Sequence, residues 1–133
     1  MLDLTGKVLA GRFRVDAAIA AGGMGAVYIA TDTSIGRLVA LKMLHPDLAM
    51  DAENLERLRE EAFSLASLRH PNIVQLYDFH RGGPEATFMV MELIEGESLA
   101  RGLVQRPRLP VEVAVDYAKQ TLSALAADRK SVV

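Results

Sequence analysis

From Phe13 to Ile19 the chain alternates: Phe13, Val15, Ala17 and Ile19 fall on one side, and Arg14, Asp16 and Ala18 on the other. A period of two predicts a half-buried strand. Val27-Tyr28-Ile29-Ala30 predicts the return strand, which makes the intervening stretch from Ala20 to Gly25 a hairpin tip. Asp32 to Gly36 is a polar turn, and Arg37 to Leu44 predicts a third strand ended by Pro46. The period then changes. Leu55, Leu58, Ala62, Leu65 and Leu68 recur at steps of three and four, one apolar stripe of a helix over 52–68. Asp51 is its N-cap, with Asn54 three residues on, and Pro71 follows its end. Two more strands, Ile73 to Phe79 and Thr87 to Glu92, are joined by a turn at Gly82-Gly83-Pro84. Ser98 to Val104 predicts a short helix, and Pro110 opens a long one over Val111 to Ala127. That helix carries Val115, Ala118, Leu122 and Leu125 on one face, with no evident partner surface elsewhere in the chain. Residues 1–11 read as a loose lead-in. Five strands and one principal helix make an α+β unit.

Composition narrows the function classes. The chain has 133 residues, half of them hydrophobic and 24% charged, which suits a globular domain with a core. A net charge of −2 gives no basic footprint for nucleic acid. There is no cysteine, so disulfides and thiolate metal sites are excluded, with a slight preference for the cytoplasm. The start, Met1-Leu2-Asp3-Leu4-Thr5, lacks the basic and apolar regions of a signal peptide. The uncharged stretch Ala17 to Thr31 is too short and too rich in glycine to span a bilayer.

The chemistry lies in two places. Ala20-Ala21-Gly22-Gly23-Met24-Gly25 is a turn whose glycines let backbone N–H groups approach an anion closely. Val39-Ala40-Leu41-Lys42 ends an apolar strand in a lysine, a point charge for the same anion. Each has an ordinary alternative, a plain hairpin turn and a surface lysine. A dinucleotide-binding glycine motif opens a helix, whereas this one runs into Val27-Tyr28-Ile29; no Gly-Lys-Ser/Thr follows, which excludes a P-loop.

Taken together, these residues resemble the protein kinase family, most closely the eukaryotic-like Ser/Thr kinases of bacteria, whose loop reads Gly-Gly-Met-Gly-x-Val-Tyr. Ala20 departs from the family at the first glycine position, while Gly22 and Gly25 match the second and third. By resemblance the turn (Ala20, Ala21, Gly22, Gly23, Met24, Gly25) covers the phosphates of ATP. Lys42 reaches the α and β phosphates, and Val27 and Ala40 sandwich the adenine. Arg59-Glu60-Glu61-Ala62 resembles the family's helical Arg-x-Glu-Ala, which makes Glu61 the ion-pair partner of Lys42, nineteen positions on. Glu61 borders the apolar stripe and can face inward; Glu60 is its solvent-facing neighbour. His70-Pro71-Asn72-Ile73 is similar to the connector after that helix, where the histidine is structural. Phe88 to Gly96 resembles the last strand and hinge: Met91 is the gatekeeper, and the Glu92 carbonyl and Ile94 amide bond the adenine edge. Leu65 and Leu76 match an internal apolar column, which ordinary core packing explains equally well. Asp78-Phe79-His80 imitates a metal-binding Asp-Phe-Gly but precedes the hinge and lacks the glycine. His45 and His80, lone histidines near strand ends, receive no role.

The resemblance implies a lead-in at 1–11, an ATP-binding N-lobe at 12–96, and the start of a C-lobe at 97–133. The fold it implies is a kinase-like N-lobe with a five-stranded antiparallel sheet and one main helix, then two helices of an incomplete C-lobe. The family's catalytic loop and metal-binding aspartate have no counterpart in the chain, so no metal ligands are assigned. The cofactor expected is ATP, with magnesium in the full-length family. A protein substrate is expected there too, and the chain alone is expected to be inactive. Self-association through the helix after Pro110 is also expected. The alternative is a kinase-derived module that binds nucleotide or protein without catalysis.

Overall fold

The computed structural model describes residues 3–82 and 86–131. They form two compact units, one from within 1–67 and 75–93, the other from 68–74 and 94–133.

The first unit is built on a six-stranded antiparallel sheet. Its strands are β1 (Val8–Leu9), β2 (Phe13–Ala21), β3 (Gly25–Asp32), β4 (Arg37–Leu44), β5 (Leu76–His80) and β6 (Phe88–Met91), in the spatial order β1-β2-β3-β4-β6-β5. The five strands expected are all present, and the sixth, β1, corrects the reading of residues 1–11 as a loose lead-in. Gly6 and Gly11 take positive φ (85° and 64°), which folds this segment back on β2. Gly6 N–H then donates to Val15 O (2.8 Å), and Val15 N–H to Lys7 O (2.8 Å). Leu4 is buried with the core.

That core lies on one face of the sheet. Phe13, Val15, Tyr28, Val39, Leu41, Phe88 and Val90 are all buried there, and the register pairs Tyr28 with Leu41 and Leu41 with Val90. Phe13 meets Phe88 edge to face at 5.7 Å, and the His80 ring stacks on Phe88 at 4.8 Å. Because side chains alternate along a strand, the neighbours of these residues populate the other face. There the register sets Val27 opposite Lys42, Ala40 opposite Met91, and Lys42 opposite Met89.

The β3–β4 turn holds a charge the sequence does not advertise. Asp32 is 1% exposed and accepts from Arg12 Nε (2.8 Å) and Nη2 (2.7 Å), and from Ser34 N (3.1 Å) and Oγ (2.7 Å). The bidentate Arg12 contact holds the Asp32 carboxyl well below the usual carboxylate range.

Pro46 ends β4 by opening a one-turn helix, α1 (Pro46–Ala49). The main helix, α2, spans Ala52–Ala66, two residues short of 52–68. Asp51 caps it as expected, accepting from Glu53 N at 2.9 Å. Leu58 and Ala62 are buried, and Leu55 and Leu65 half-buried. Leu68 is buried too, but beyond the helix and in the second unit. β5 starts at Leu76 rather than Ile73, because Ile73 N–H closes a turn on His70 O (3.1 Å). Of the expected turn at 82–84, Gly83 and Pro84 lie outside the described residues.

The second unit contains α3 (Leu99–Gln105), capped by Ser98, and α4 (Val111–Ser131). Two polar contacts reach α4 from outside the apolar face expected to lack a partner: Asn72 Nδ2 donates to Gln120 Oε1 (2.7 Å), and His70 Nε2 lies 2.9 Å from Ser123 Oγ. His70 Nδ1 accepts from Asn72 N (3.0 Å), so a neutral ring carries its proton on Nε2 and donates to Ser123. Val115, Leu122 and Leu125 remain exposed.

Two outcomes follow for stability. A Cβ at Gly25 would run into the Met43 carbonyl oxygen on β4, whereas one at Gly23 meets open space. Gly25→Ala is therefore expected to destabilise the chain by about 2 kcal/mol in urea unfolding, with Gly23→Ala near neutral. The lowered Asp32 value means the folded state binds that proton more weakly than the unfolded state. Its stabilisation is complete above the unfolded value of about 3.9 and is lost as pH falls through the lower folded value. Asp32→Asn should lower stability at pH 7 and flatten its decline below about pH 4, read as unfolding midpoints across pH.

Candidate nucleotide site

The β2–β3 hairpin closes tightly. Ala20 pairs with Val27, Ala21 with Ala26, and Gly22 N–H donates to Gly25 O at 2.9 Å. Ala20 and Ala21 thus end β2, Gly22, Gly23 and Met24 form the tip, and Gly25 begins β3. Met24 is half exposed. The glycines serve different purposes. Gly25 is required by the close approach of β4, whatever binds nearby, while Gly22 and Gly23 leave open space where a side chain would stand. Two further bonds tie the tip to the end of β4: His45 N–H donates to Met24 O (3.2 Å), and His45 Nε2 lies 2.7 Å from Gly22 O.

One turn of register carries the site from the tip to the lysine. Val27, Ala40, Lys42 and Met91 lie on a single face, with Ala40 and Met91 buried and Val27 half-buried. Lys42 Nζ reaches Glu61 Oε1 of α2 at 2.7 Å. The side chains are 36% and 45% exposed, so the glutamate is less inward than its place beside the apolar stripe suggests. A pair this open to solvent contributes only about 0–1 kcal/mol to stability. What it does is geometric: it fixes a long, flexible ammonium at one point on an otherwise apolar face. Glu60 is exposed.

The hinge residues divide. Glu92 N–H donates to Gln75 O (2.8 Å), and its carboxylate accepts from Gln75 N (3.1 Å), which anchors the strand end without using the Glu92 carbonyl. Ile94 is exposed and belongs to the second unit. Leu65 and Leu76 are half-buried. Asp78 accepts from its neighbour Phe79 N (2.8 Å) and lies 3.0 Å from His80 Nε2, a local tie at the end of β5.

His45 is the residue sequence reasoning passed over. The signal was available in the pairing: Gly25 opposite Leu44 sets Met24 beside residue 45. Histidine spacing, the criterion used for metal ligands, could not reveal it.

A family model for the protein kinase domain matches residues 13–128. The serine/threonine-protein kinase PknA of Mycobacterium tuberculosis is 40% identical over 129 residues, covering 94% of this chain and 30% of that protein. PrkC of Bacillus subtilis, also a serine/threonine-protein kinase, is 39% identical over 123 residues, covering 92% of this chain and 19% of that protein. Among solved structures, the PknI kinase domain of Mycobacterium tuberculosis superposes with a TM-score of 0.78 at 26% identity, over 98% of this chain and 52% of that one. The chain thus spans under a third of these curated relatives and about half of the solved domain. The matched stretch takes in the glycine turn, the lysine strand and the glutamate helix, and the chain belongs to the protein kinase domain family.

Proposed function

We propose that this chain is the ATP-binding portion of a Ser/Thr protein kinase. The observation that carries the reading is the Lys42–Glu61 pair at 2.7 Å on the face that also bears Val27, Ala40 and Met91. An apolar face suits a purine ring, and a fixed ammonium beside it suits the phosphates attached to that ring. The open space at Gly22 and Gly23 fits the close approach of a phosphate to the turn. ATP fits these residues; magnesium accompanies it, and no residue of this chain is assigned to hold the metal. Bound ATP supplies the transferable phosphoryl group.

Each side chain has a task. Ala40 and Val27 enclose the adenine, Met91 limits the depth of the pocket, and the Glu92 carbonyl reads the adenine edge. Lys42 neutralises phosphate charge, and Glu61 holds Lys42 where it can do so. Positioning and charge neutralisation are most of what this chemistry asks of a protein. The groups that orient the attacking hydroxyl in the family have no counterpart in these 133 residues, so the role proposed for this chain is to bind ATP rather than to transfer its phosphate. Among the described residues no helix is long and apolar enough to cross a membrane. Cytoplasmic placement is part of the proposal.

A second reading, a binding module without catalysis, is favoured by the exposure of Val115, Leu122 and Leu125 along α4. Such a face promotes association of two copies.

Calorimetric titration with MgATP tests the first reading. Lys42→Ala removes a charge-assisted contact worth about 1.5–3 kcal/mol and should weaken binding by about ten- to a hundredfold. Equal affinity in the two proteins would defeat the reading. The chain alone should transfer no phosphate to a generic protein substrate; Lys42-dependent labelling from radioactive ATP would show otherwise. Sedimentation should find concentration-dependent dimers that Leu122→Lys abolishes, while a monomer at all concentrations counts against the second reading.

A further inference from the structure

The tip of the glycine turn has two carbonyl oxygens held from the same residue. Met24 O accepts from the His45 main-chain N–H, and Gly22 O from the His45 ring. A carbonyl only accepts, so the ring nitrogen at 2.7 Å must be protonated: Nε2 carries a hydrogen in either charge state of the ring. His45 itself is fixed. Its carbonyl accepts from Leu48 N (3.0 Å) and Ala49 N (2.9 Å), and Pro46 follows it at the start of α1. The ring is therefore presented from a rigid corner rather than from a loop.

Peptide geometry converts this into an orientation for the turn. The described chain has no cis peptide bonds, so the Gly22 C=O and the Gly23 N–H point in opposite directions in one plane. The same holds for the Met24 C=O and the Gly25 N–H. Drawing both carbonyls toward His45 turns the Gly23 and Gly25 N–H groups away from it. An anion-binding turn needs this sorting, because a carbonyl oxygen facing a phosphate repels it and an N–H attracts it. The Gly22–Gly23 peptide would otherwise be free to flip, since neither flanking residue has a Cβ to resist.

We infer that His45 is a positioning residue for the glycine-rich turn, holding the Gly22 and Met24 carbonyls to one side so that the Gly23 and Gly25 N–H groups are presented to a phosphate. The inference rests on the ATP reading above and goes beyond it in naming what orders the turn. His45 touches no phosphate itself; it acts through Gly22. The main-chain bond to Met24 survives any substitution but proline, so the side chain's share can be isolated.

The test uses the full chain with His45→Ala and His45→Gln, the latter keeping a side-chain N–H donor. MgATP affinity is measured by calorimetry, Gly22 amide exchange by NMR without nucleotide, and thermal midpoints for both variants. Loss of one neutral hydrogen bond predicts MgATP binding weaker by about three- to tenfold in His45→Ala, with partial recovery in His45→Gln. Gly22 N–H, bonded to Gly25 O, should exchange faster in His45→Ala at a midpoint within a few degrees of the parent, about the shift of a small stability change. Unchanged Gly22 exchange in His45→Ala overturns the inference, even if binding weakens, because the effect would then not pass through the turn. Faster exchange with unchanged affinity overturns it as well. If the parent chain itself does not bind MgATP, and Lys42→Ala changes nothing, the ATP reading has failed. The inference is then decided by exchange alone: faster in His45→Ala and recovered in His45→Gln supports it, and no difference refutes it.

Discussion

The pairing of β3 with β4 governs the first unit. It runs for eight residue pairs, from Gly25 with Leu44 to Asp32 with Arg37, without a bulge. Since side chains alternate strictly along a strand, this one register decides which residues share a face. Val27 comes opposite Lys42 and Tyr28 opposite Leu41, so the apolar core and the lysine face are sorted by a single ladder. Its two ends are pinned by different means. At one, Gly25 lets the strands close up where any side chain would collide with Met43 O. At the other, buried Asp32 draws four hydrogen bonds from Arg12 and Ser34. A slip of one residue would put a side chain where Gly25 now meets Met43 O.

How much of this was legible depends on whether the cause is local. Alternation located β2, the run Val27-Tyr28-Ile29 located β3, and the three- and four-residue spacing located α2, because each signal comes from backbone geometry acting on neighbouring residues. The Lys42–Glu61 pair was legible for a different reason: Arg59-Glu60-Glu61-Ala62 and the nineteen-position spacing from Lys42 resemble the protein kinase pattern, and the contact is present at 2.7 Å.

What stayed hidden depends on distant partners. Nothing in Val8-Leu9 distinguishes a two-residue strand from a loop; its pairing comes from β2 and from the turns at Gly6 and Gly11. Arg12 and Asp32 are twenty residues apart, and an aspartate beside a turn reads as solvent-exposed until Arg12 is placed over it. His45 looked idle because its partners are main-chain oxygens, which no side-chain motif encodes. In the second unit, α4 showed an apolar stripe but not its tie to Asn72 and His70, since polar contacts leave no periodic trace.

The two edges of the sheet have a consequence for how the unit meets other chains. An open strand edge is a row of unpaired N–H and C=O groups that invites another strand to add on. Here one edge is β1, only two residues long, and the other is β5, whose register is broken between Leu76 and Asp78. A short edge offers too few bonds to hold a visitor, and a bulge twists the row out of line. At β1 and β5 the sheet is therefore poorly suited to grow by strand addition. Crowding many such chains together, as on a ribosome-dense messenger or in an overexpressing cell, should not template cross-chain sheet from these edges.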